Sequence, residues 1–596
     1  MKKLLIILCL LPAIGYGQYW GERVTEKSFE QSSLYFESYF LNPFGLHRFD
    51  DAAVGLIDNP FLGLQINPAN LPNLEGKNYL MYLDFRGDRT EEAVIDNYYA
   101  MPMYDLYYYP PMVYYNTARD EPQPIFSFGL LTYPFGPAGT SPFVGGTYQM
   151  IYQQEKYYSV PSWNYNYRFG YDSFGDNTLI GSPIIPVEDR YFGKDELLTQ
   201  AHMFSLFAGY AFSDRLDLGL SLNRTVHSRD GGYINIRNDQ YSSTDDDDWR
   251  YYNQEERNQD YDHLDLSGGI RYQLREDLSG GIKLGYLKGD ADQDFMTLDS
   301  SSYSWNMDGV SDRWGYSIGK SHTNKTWNRD GHIWYGRVNI ERQVEKDRTI
   351  SAYYRYGRTD IDLTNTLIIR DTSYYASQYA YDTLTYNYES LSWTRDTRQG
   401  FGQRKEYAHE AMISADWKLN REHTVLAGLY LARSKTTQTS EEPVVAERWS
   451  EYESRTNGEI RYDYLYNIYE DKVLVWESNS TYWTVQIPIM LKIQAAKFLM
   501  LTFGVNRILE GSKTTDVTTA YFTLRRSDSN GDVESESFFG ERYTQPEEKI
   551  TEDETVFMTS FDLTVSEQFN IRLMVNPEIE DDFRVAEWWL SFQYTP

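Results

Sequence analysis

The sequence predicts an all-β fold: a transmembrane antiparallel β-barrel of about sixteen strands, with fourteen as the alternative count. Three observations predict it. Apolar and polar residues alternate with period two in segment after segment. The segments come in pairs joined by very short links. Between the pairs stand polar stretches of roughly 35–45 residues, far above ordinary connection lengths. Short turns at one end and long loops at the other are the pattern of an outer-membrane barrel, with the turns periplasmic and the loops extracellular.

Composition excludes the main competitors. The chain has 596 residues and a net charge of −31, the reverse of the basic footprint that nucleic-acid binding needs. Aromatics make up 16%, with 54 tyrosines, which argues against disorder. No run of about 18 apolar residues follows the N-terminus, so a helical membrane span is not expected.

Residues 1–17 read as a Sec signal peptide. Lys2 and Lys3 precede an apolar core, Leu4 to Ile14, and small residues at Gly15 and Gly17 set a cut near Gly17/Gln18. The one cysteine, Cys9, lies inside it, so the mature chain carries no disulfide. Residues 18–77 do not alternate and form a separate N-terminal segment. The barrel occupies 78–596. Its strands are expected near 78–87, 124–132, 143–153, 201–212, 216–227, 262–274, 277–288, 331–343, 348–360, 406–419, 422–434, 481–494, 497–508, 555–566, 568–576 and 584–594. Each is 10 to 14 residues long or nearly so, enough to cross a tilted bilayer span. In 216–223, for example, Leu216, Leu218, Leu220 and Leu222 alternate with Asp217, Gly219, Ser221 and Asn223. Links at Ser213-Asp214, Arg275-Glu276, Glu345-Lys346, Asn420-Arg421, Ala495-Ala496 and Glu567-Gln568 turn the chain. In the last strand Trp588, Leu590, Phe592 and Tyr594 form an apolar stripe, which is similar to the C-terminal signal read by the barrel-assembly machinery.

In the N-terminal segment, Asn67-Pro68-Ala69-Asn70-Leu71 follows a Gly- and Ala-containing stretch and precedes the first strand. This resembles the outer-membrane long-chain fatty-acid transporter (FadL-like) family and its relatives in secretion systems of Bacteroidetes type. The resemblance implies that 18–77 folds into the barrel as a hatch, with Asn67, Pro68, Ala69 and Leu71 as gating positions. It departs from the family at Asn70, where Gly is usual. Physically, Pro68 fixes φ and biases Asn67 toward an extended conformation, and Asn70 tolerates a left-handed turn.

Asp217, Arg271, Lys283, Arg337, Glu341, Arg355, Asp416, Lys418 and Arg572 fall on the polar face and are expected in the lumen, because a charge facing lipid at midplane costs about 2–4 kcal/mol. Paired charges filling a polar lumen, and a permeation path closed by the hatch, are both open readings. Met203 and Phe207 are inward apolar candidates. His202, His227, His263, His332 and His409 fall near the outer rim, without the nucleophile, base and orienter that catalysis needs, so no enzyme is expected. Asp290, Asp292 and Asp294 have the early spacing of a calcium loop but lack its glycine and its closing glutamate, and Asp528 to Asp532 is similarly incomplete. No cofactor is implied.

The leading expectation is a channel or transporter for a small hydrophobic molecule in the outer membrane of a Gram-negative bacterium. The alternative is a non-transporting scaffold or secretion-system component that binds an exported protein through its loops. Outer-membrane lipid and lipopolysaccharide, and the barrel-assembly machinery, are the other expected partners.

Overall fold

A computed structural model describes residues 60–72, 79–88, 114–116, 123–136, 141–159, 190–242, 246–306, 313–381, 383–420, 422–544, 547–579 and 583–595. The expected signal peptide, residues 18–59 and the tyrosine run at 104–111 lie outside them. The described chain is one short helix, α1 (Pro60–Ile66), and eighteen strands: β1 (Tyr79–Asp88), β2 (Tyr114–Asn116), β3 (Gln123–Thr132), β4 (Phe143–Ser159), β5 (Arg190–Ser213), β6 (Leu216–Ser242), β7 (Asp246–Arg275), β8 (Leu278–Asn306), β9 (Arg313–Glu345), β10 (Arg348–Tyr381), β11 (Leu384–Lys418), β12 (His423–Thr456), β13 (Glu459–Ala496), β14 (Leu499–Ser529), β15 (Asp532–Thr544), β16 (Glu548–Ser566), β17 (Phe569–Ile579) and β18 (Phe583–Tyr594).

Every pairing is antiparallel, and β1 closes the ring by pairing with both β3 and β18. Closure leaves no edge in the wall that carries the apolar belt, which is what a strand-built membrane span requires. The short β2 pairs only with β4. β15 and β16 lie end to end along β14, with Val517 opposite Thr544 and Thr514 opposite Glu548. The ring is therefore about sixteen strands around, and each expected strand overlaps one of them, with ends that overrun by at most two residues.

The outer surface follows from alternation. Leu218, Leu220, Leu222, Leu264, Leu266, Ile282, Leu284, Trp334, Val338, Ile413, Phe503 and Phe561 are exposed on it. Going up the strands, this belt ends at outward ion pairs: Arg224 to Asp262 at 2.7 Å, Arg358 to Asp360 at 2.8 Å, and Arg507 with Asp553. The intervening residues, such as Ser221, Asn223, Asp265 and Ser267, are buried inside.

The expected loops are a correction. Above the belt, among the described residues of β5 to β14, the chain stays in the sheet. β5 to β14 continue as paired strands of 24 to 38 residues, and the described parts of β1, β3, β17 and β18 are 10 to 12. At about 3.3 Å per residue, β13 is roughly 125 Å long, several times a bilayer crossing. The sequence hid this because above the belt the outer face turns polar and the inner face mixes polar residues with clusters such as Val444, Ala446, Leu474 and Phe522, so the alternation weakens and then fades toward the hairpin ends, while Thr, Tyr and Val still favour strand. Asn457-Gly458 and Asn530-Gly531 close two of these hairpins with positive φ at both residues, the two-residue turn that matches strand twist. Asp528–Asp532 is thus a hairpin end, not a calcium loop: Asp528 Oδ1 accepts from the Gly531 amide at 2.9 Å.

Candidate functional site

The lumen of the belt region has two unlike halves, and α1 with the turn after it lies between them. Pro60 suits the first turn of a helix, where its missing N–H is not needed. Pro68 disfavours helix at Asn67 and so stops α1 at Ile66. The turn then folds on Asn67. Its amide donates to the Gly63 carbonyl at 3.0 Å, its side-chain oxygen accepts from the Ala69 amide at 3.0 Å, and its Nδ2 donates to the Ile270 carbonyl on β7 at 3.1 Å. Asn70 Nδ2 also reaches the Gly63 carbonyl, at 3.0 Å. Asn67 and Ala69 are fully buried.

The first half of the lumen is a seat for this turn. Gly209, Gly219 and Gly269 stand opposite one another in register on β5, β6 and β7. A side chain at Gly219 would run into the Pro68 backbone, one at Gly269 into Asn67, and one at Gly209 into Leu71. Glycine is required here by close approach of a second backbone, not by an unusual φ. Lys283 on β8 is buried and donates to the Gln65 carbonyl at 2.8 Å, at the C-terminal end of α1, where a cation is favoured. Tyr133 fixes the exit of the turn by donating to the Pro72 carbonyl at 2.9 Å.

Around Lys283 the wall is polar and paired. Tyr335 donates to Asp265 at 2.8 Å, and Asn223 donates to the other carboxylate oxygen at 2.9 Å. Arg337, Arg355 and Glu410 stand in one row across β9, β10 and β11, with Arg355 paired to Glu410 at 2.7 Å and Arg337 stacked 3.6 Å over the Tyr353 ring. Asp217 and Arg271 are opposite in register, and Arg572 is paired with Asp562 across β16 and β17. Glu341, Asp416 and Lys418 lie apart from these, near the turns; Glu341 and Lys418 are exposed there. The sequence marked one member of most pairs and missed Asp265, Glu410 and Asp562, because a partner on another strand is visible only once register is known.

The second half carries an apolar cluster, with Asn506 donating to Gln486 at 2.9 Å beside it. Leu426, Met490, Gly504 and Met558 stand side by side on β12, β13, β14 and β16. Met412, Tyr430, Ile508, Val556, Met574 and Trp589 extend them into one buried cluster. Phe61 and Leu64 of α1 belong to the same cluster, with Phe61 edge-on to Tyr82 at 4.3 Å between ring centres. The segment thus holds its polar turn against the glycine seat and its helix against the methionine wall. Phe207 is inward in this cluster and Met203 is buried. None of the four methionines was singled out from sequence. A signal existed: in Ile487–Leu491 and Val556–Phe557 both faces are apolar, which a water-filled lumen would not call for.

Asp290, Asp292 and Asp294 are on β8, not in a loop, and all three are exposed on the outer face. Alternate strand positions lie too far apart to wrap an ion as a calcium loop does. Burial, with Asp290, Asp294 and Asp260 nearby, raises the Asp292 carboxyl above its ordinary value. Among the described residues no group of three or more His, Cys, Asp or Glu side chains is placed to hold a metal ion. Of the histidines, His227 and His263 flank Tyr261 inside the wall. His202 and His409 meet Tyr148 and Tyr354 on the outer face, at 2.9 and 2.7 Å, and His332 lies beside the Tyr286 ring. Trp588, Leu590, Phe592 and Tyr594 alternate with buried Trp589 and Ser591 on β18, which closes the ring between β1 and β17.

No protein-family model and no curated protein matches the sequence. Among solved structures, the chain is similar to the toluene transporter TbuX of Ralstonia pickettii, at 11% identity over 65% of this chain and 93% of that one, TM-score 0.24. It is similar to the CymD monoaromatic hydrocarbon channel, at 11% identity over 68% and 96%, TM-score 0.26. It is also similar to the ferric enterobactin receptor PfeA of Pseudomonas aeruginosa, at 8% identity over 87% and 80%, TM-score 0.25. Likenesses at this level carry no argument about function.

Proposed function

We propose that the protein is exported to the outer membrane of a Gram-negative bacterium and passes a small hydrophobic molecule through its barrel, with residues 60–72 as a movable stopper. The observation that carries this reading is the methionine wall. A barrel that conducts ions or sugars keeps its lumen polar. Here one sector of the lumen carries Met412, Met490, Met558 and Met574 with Leu426, Ile508 and Val556, interleaved with buried Gln486 and Asn506. Methionine is flexible and polarizable, so such a wall accommodates apolar molecules of varied shape. The apolar outer belt supports placement in a bilayer, and β18 supplies the strand for the barrel-assembly machinery.

The stopper is held on one side by few, separable contacts: the Gly219 and Gly269 seat, Lys283 to Gln65, and Asn67 to Ile270. Releasing them leaves the methionine wall open along its length. The test is native mass spectrometry of the barrel extracted from its own membrane. The expected result is a bound mass of a few hundred daltons, lost on activation and lost when Asn67 to Ala69 are replaced. An empty lumen with a stoichiometric protein partner overturns it in favour of the second reading. That reading is a scaffold for an exported protein, and the length of β5 to β14 above the belt favours it.

A further inference from the structure

The outer surface above the belt carries a recess that passage through the lumen does not use. Thr326 and Asn328 of β9, Thr364 and Thr366 of β10, and Gln399 and Phe401 of β11 line it, with a volume of about 520 Å³. The fold builds it. Pairing between β11 and β12 stops at Arg398 opposite Val444 and resumes at Phe401 opposite Glu441. Pro443, which has no N–H to give, also lines the recess at this gap. The Thr326 and Thr366 hydroxyls meet across the adjoining strands at 2.5 Å.

Its position and chemistry narrow the occupant. Asn328 lies six residues above Trp334, an exposed residue of the belt. That is about 20 Å along the strand and about 14 Å above the belt at a 45° tilt. Whatever stands there in a bilayer is a lipid headgroup. The lining side chains are neutral hydroxyls and amides beside the half-exposed ring of Phe401, although the chain as a whole is strongly acidic. Amides and hydroxyls match a sugar's alternating donors and acceptors, and an aromatic ring covers its C–H face. Immediately below, Asp262, Asp290, Asp330 and Asp362 stand opposite one another on β7 to β10.

We infer that this recess binds the saccharide headgroup of an outer-leaflet glycolipid, whose acyl chains lie on the belt below. A shallow recess holds a free sugar weakly; anchoring in the same membrane supplies the effective concentration that makes the contact persist. The inference rests on the outer-membrane part of the functional reading and not on transport.

The test uses the whole protein in nanodiscs of phosphatidylethanolamine and phosphatidylglycerol with a minor fraction of rough lipopolysaccharide. Magnesium is present throughout, because the aspartate row would otherwise repel a phosphorylated headgroup. Retained lipid is counted by native mass spectrometry. The unmodified protein is expected to retain lipopolysaccharide at least fivefold over phosphatidylglycerol. Phe401→Ala with Gln399→Ala should bring that ratio near one, and Thr364→Trp, which fills the recess, should do the same without removing the ring. Free core oligosaccharide at the same nominal concentration should not displace lipid-anchored lipopolysaccharide, because it lacks the membrane anchor. Heat-modifiable migration of each variant confirms a folded barrel. Equal retention in all three proteins, or a ratio near one in the unmodified protein, overturns the site. Failure of the folded barrel to enter nanodiscs at all overturns the membrane reading instead, and the site with it.

Discussion

The two halves of the lumen are made from the same strands and the same alternation, yet they hold together differently. On β5 to β8 the inward positions are mostly Gly, Ser, Asn, Asp and Lys, with Met203 and Phe207 the apolar exceptions on β5, and contacts to the turn are directional: a glycine row that admits a second backbone, and single hydrogen bonds to Gln65 and Ile270. On β12 to β17 an apolar cluster of Leu, Met, Ile and Val stands among buried polar residues such as Gln486 and Asn506, and the cluster's own contacts are non-directional packing. On the proposed function, the difference separates the half that would set the stopper's position from the half that would pass the molecule. A surface of directional contacts specifies one position of the stopper. A methionine surface tolerates many occupants.

The sharpest way to break the comparison is at the seat. Gly219→Val places a branched side chain where the Pro68 backbone lies, so the turn cannot dock. We expect uptake of a hydrophobic probe into proteoliposomes to rise by about tenfold or more; unchanged uptake would mean that the turn does not close the path. Next in size is stability. Glu410→Gln removes the carboxylate partner of buried Arg355 and is expected to cost about 3–5 kcal/mol, read from the urea midpoint for unfolding from nanodiscs. Met558→Leu, on the other half, is expected to cost less than about 1.5 kcal/mol by the same measurement, since similar apolar volumes interchange. Comparable losses would erase the distinction between the halves.

The smallest effects concern pH in the wall above the belt. Burial alone would raise the Glu470 carboxyl, but Lys472 at 2.8 Å and Arg525 at 2.9 Å outweigh it and hold it below its ordinary 4.5. Its stabilising contribution is therefore present above pH 4.5 and lost as pH falls through the lowered value. Asp292 has the opposite sign. Its carboxyl is raised above 3.8, the folded state holds the proton more tightly, and the local strands gain stability as pH falls through that raised value. Hydrogen exchange corrected for intrinsic rates should show β13 to β15 opening in acid while β7 to β9 tighten. Asp292→Asn should remove the second trend, and its persistence would show that the aspartate row does not cause it.

How much was legible follows the same physics. The belt strands could be read because water or lipid on one side and a packed interior on the other impose alternation, as at Leu218 to Leu222. Above the belt, in β10 residues such as Thr372, Ser373 and Tyr374, both faces are polar and the pattern that marks a strand vanishes. The Asn457-Gly458 and Asn530-Gly531 pairs carry the signal of tight hairpins, but the first went unread and the second was read as part of an incomplete calcium loop. The turn at Asn67 to Leu71 stood out because of Pro68, but its seat did not. Gly209, Gly219 and Gly269 are far apart in sequence and meet only through register. The methionine wall was hidden in the same way, each strand contributing only one or two residues.

The most direct test of the central claim is photolabelling. A diazirine-bearing alkane of small size is equilibrated with the barrel in nanodiscs and irradiated, and adducts are mapped by peptide mass spectrometry. The account predicts adducts on Met490, Met558 and Met574 that multiply when Gly219→Val displaces the turn. Adducts confined to outward residues such as Leu220, Leu284 and Phe561, with none on the methionines in either protein, would contradict it.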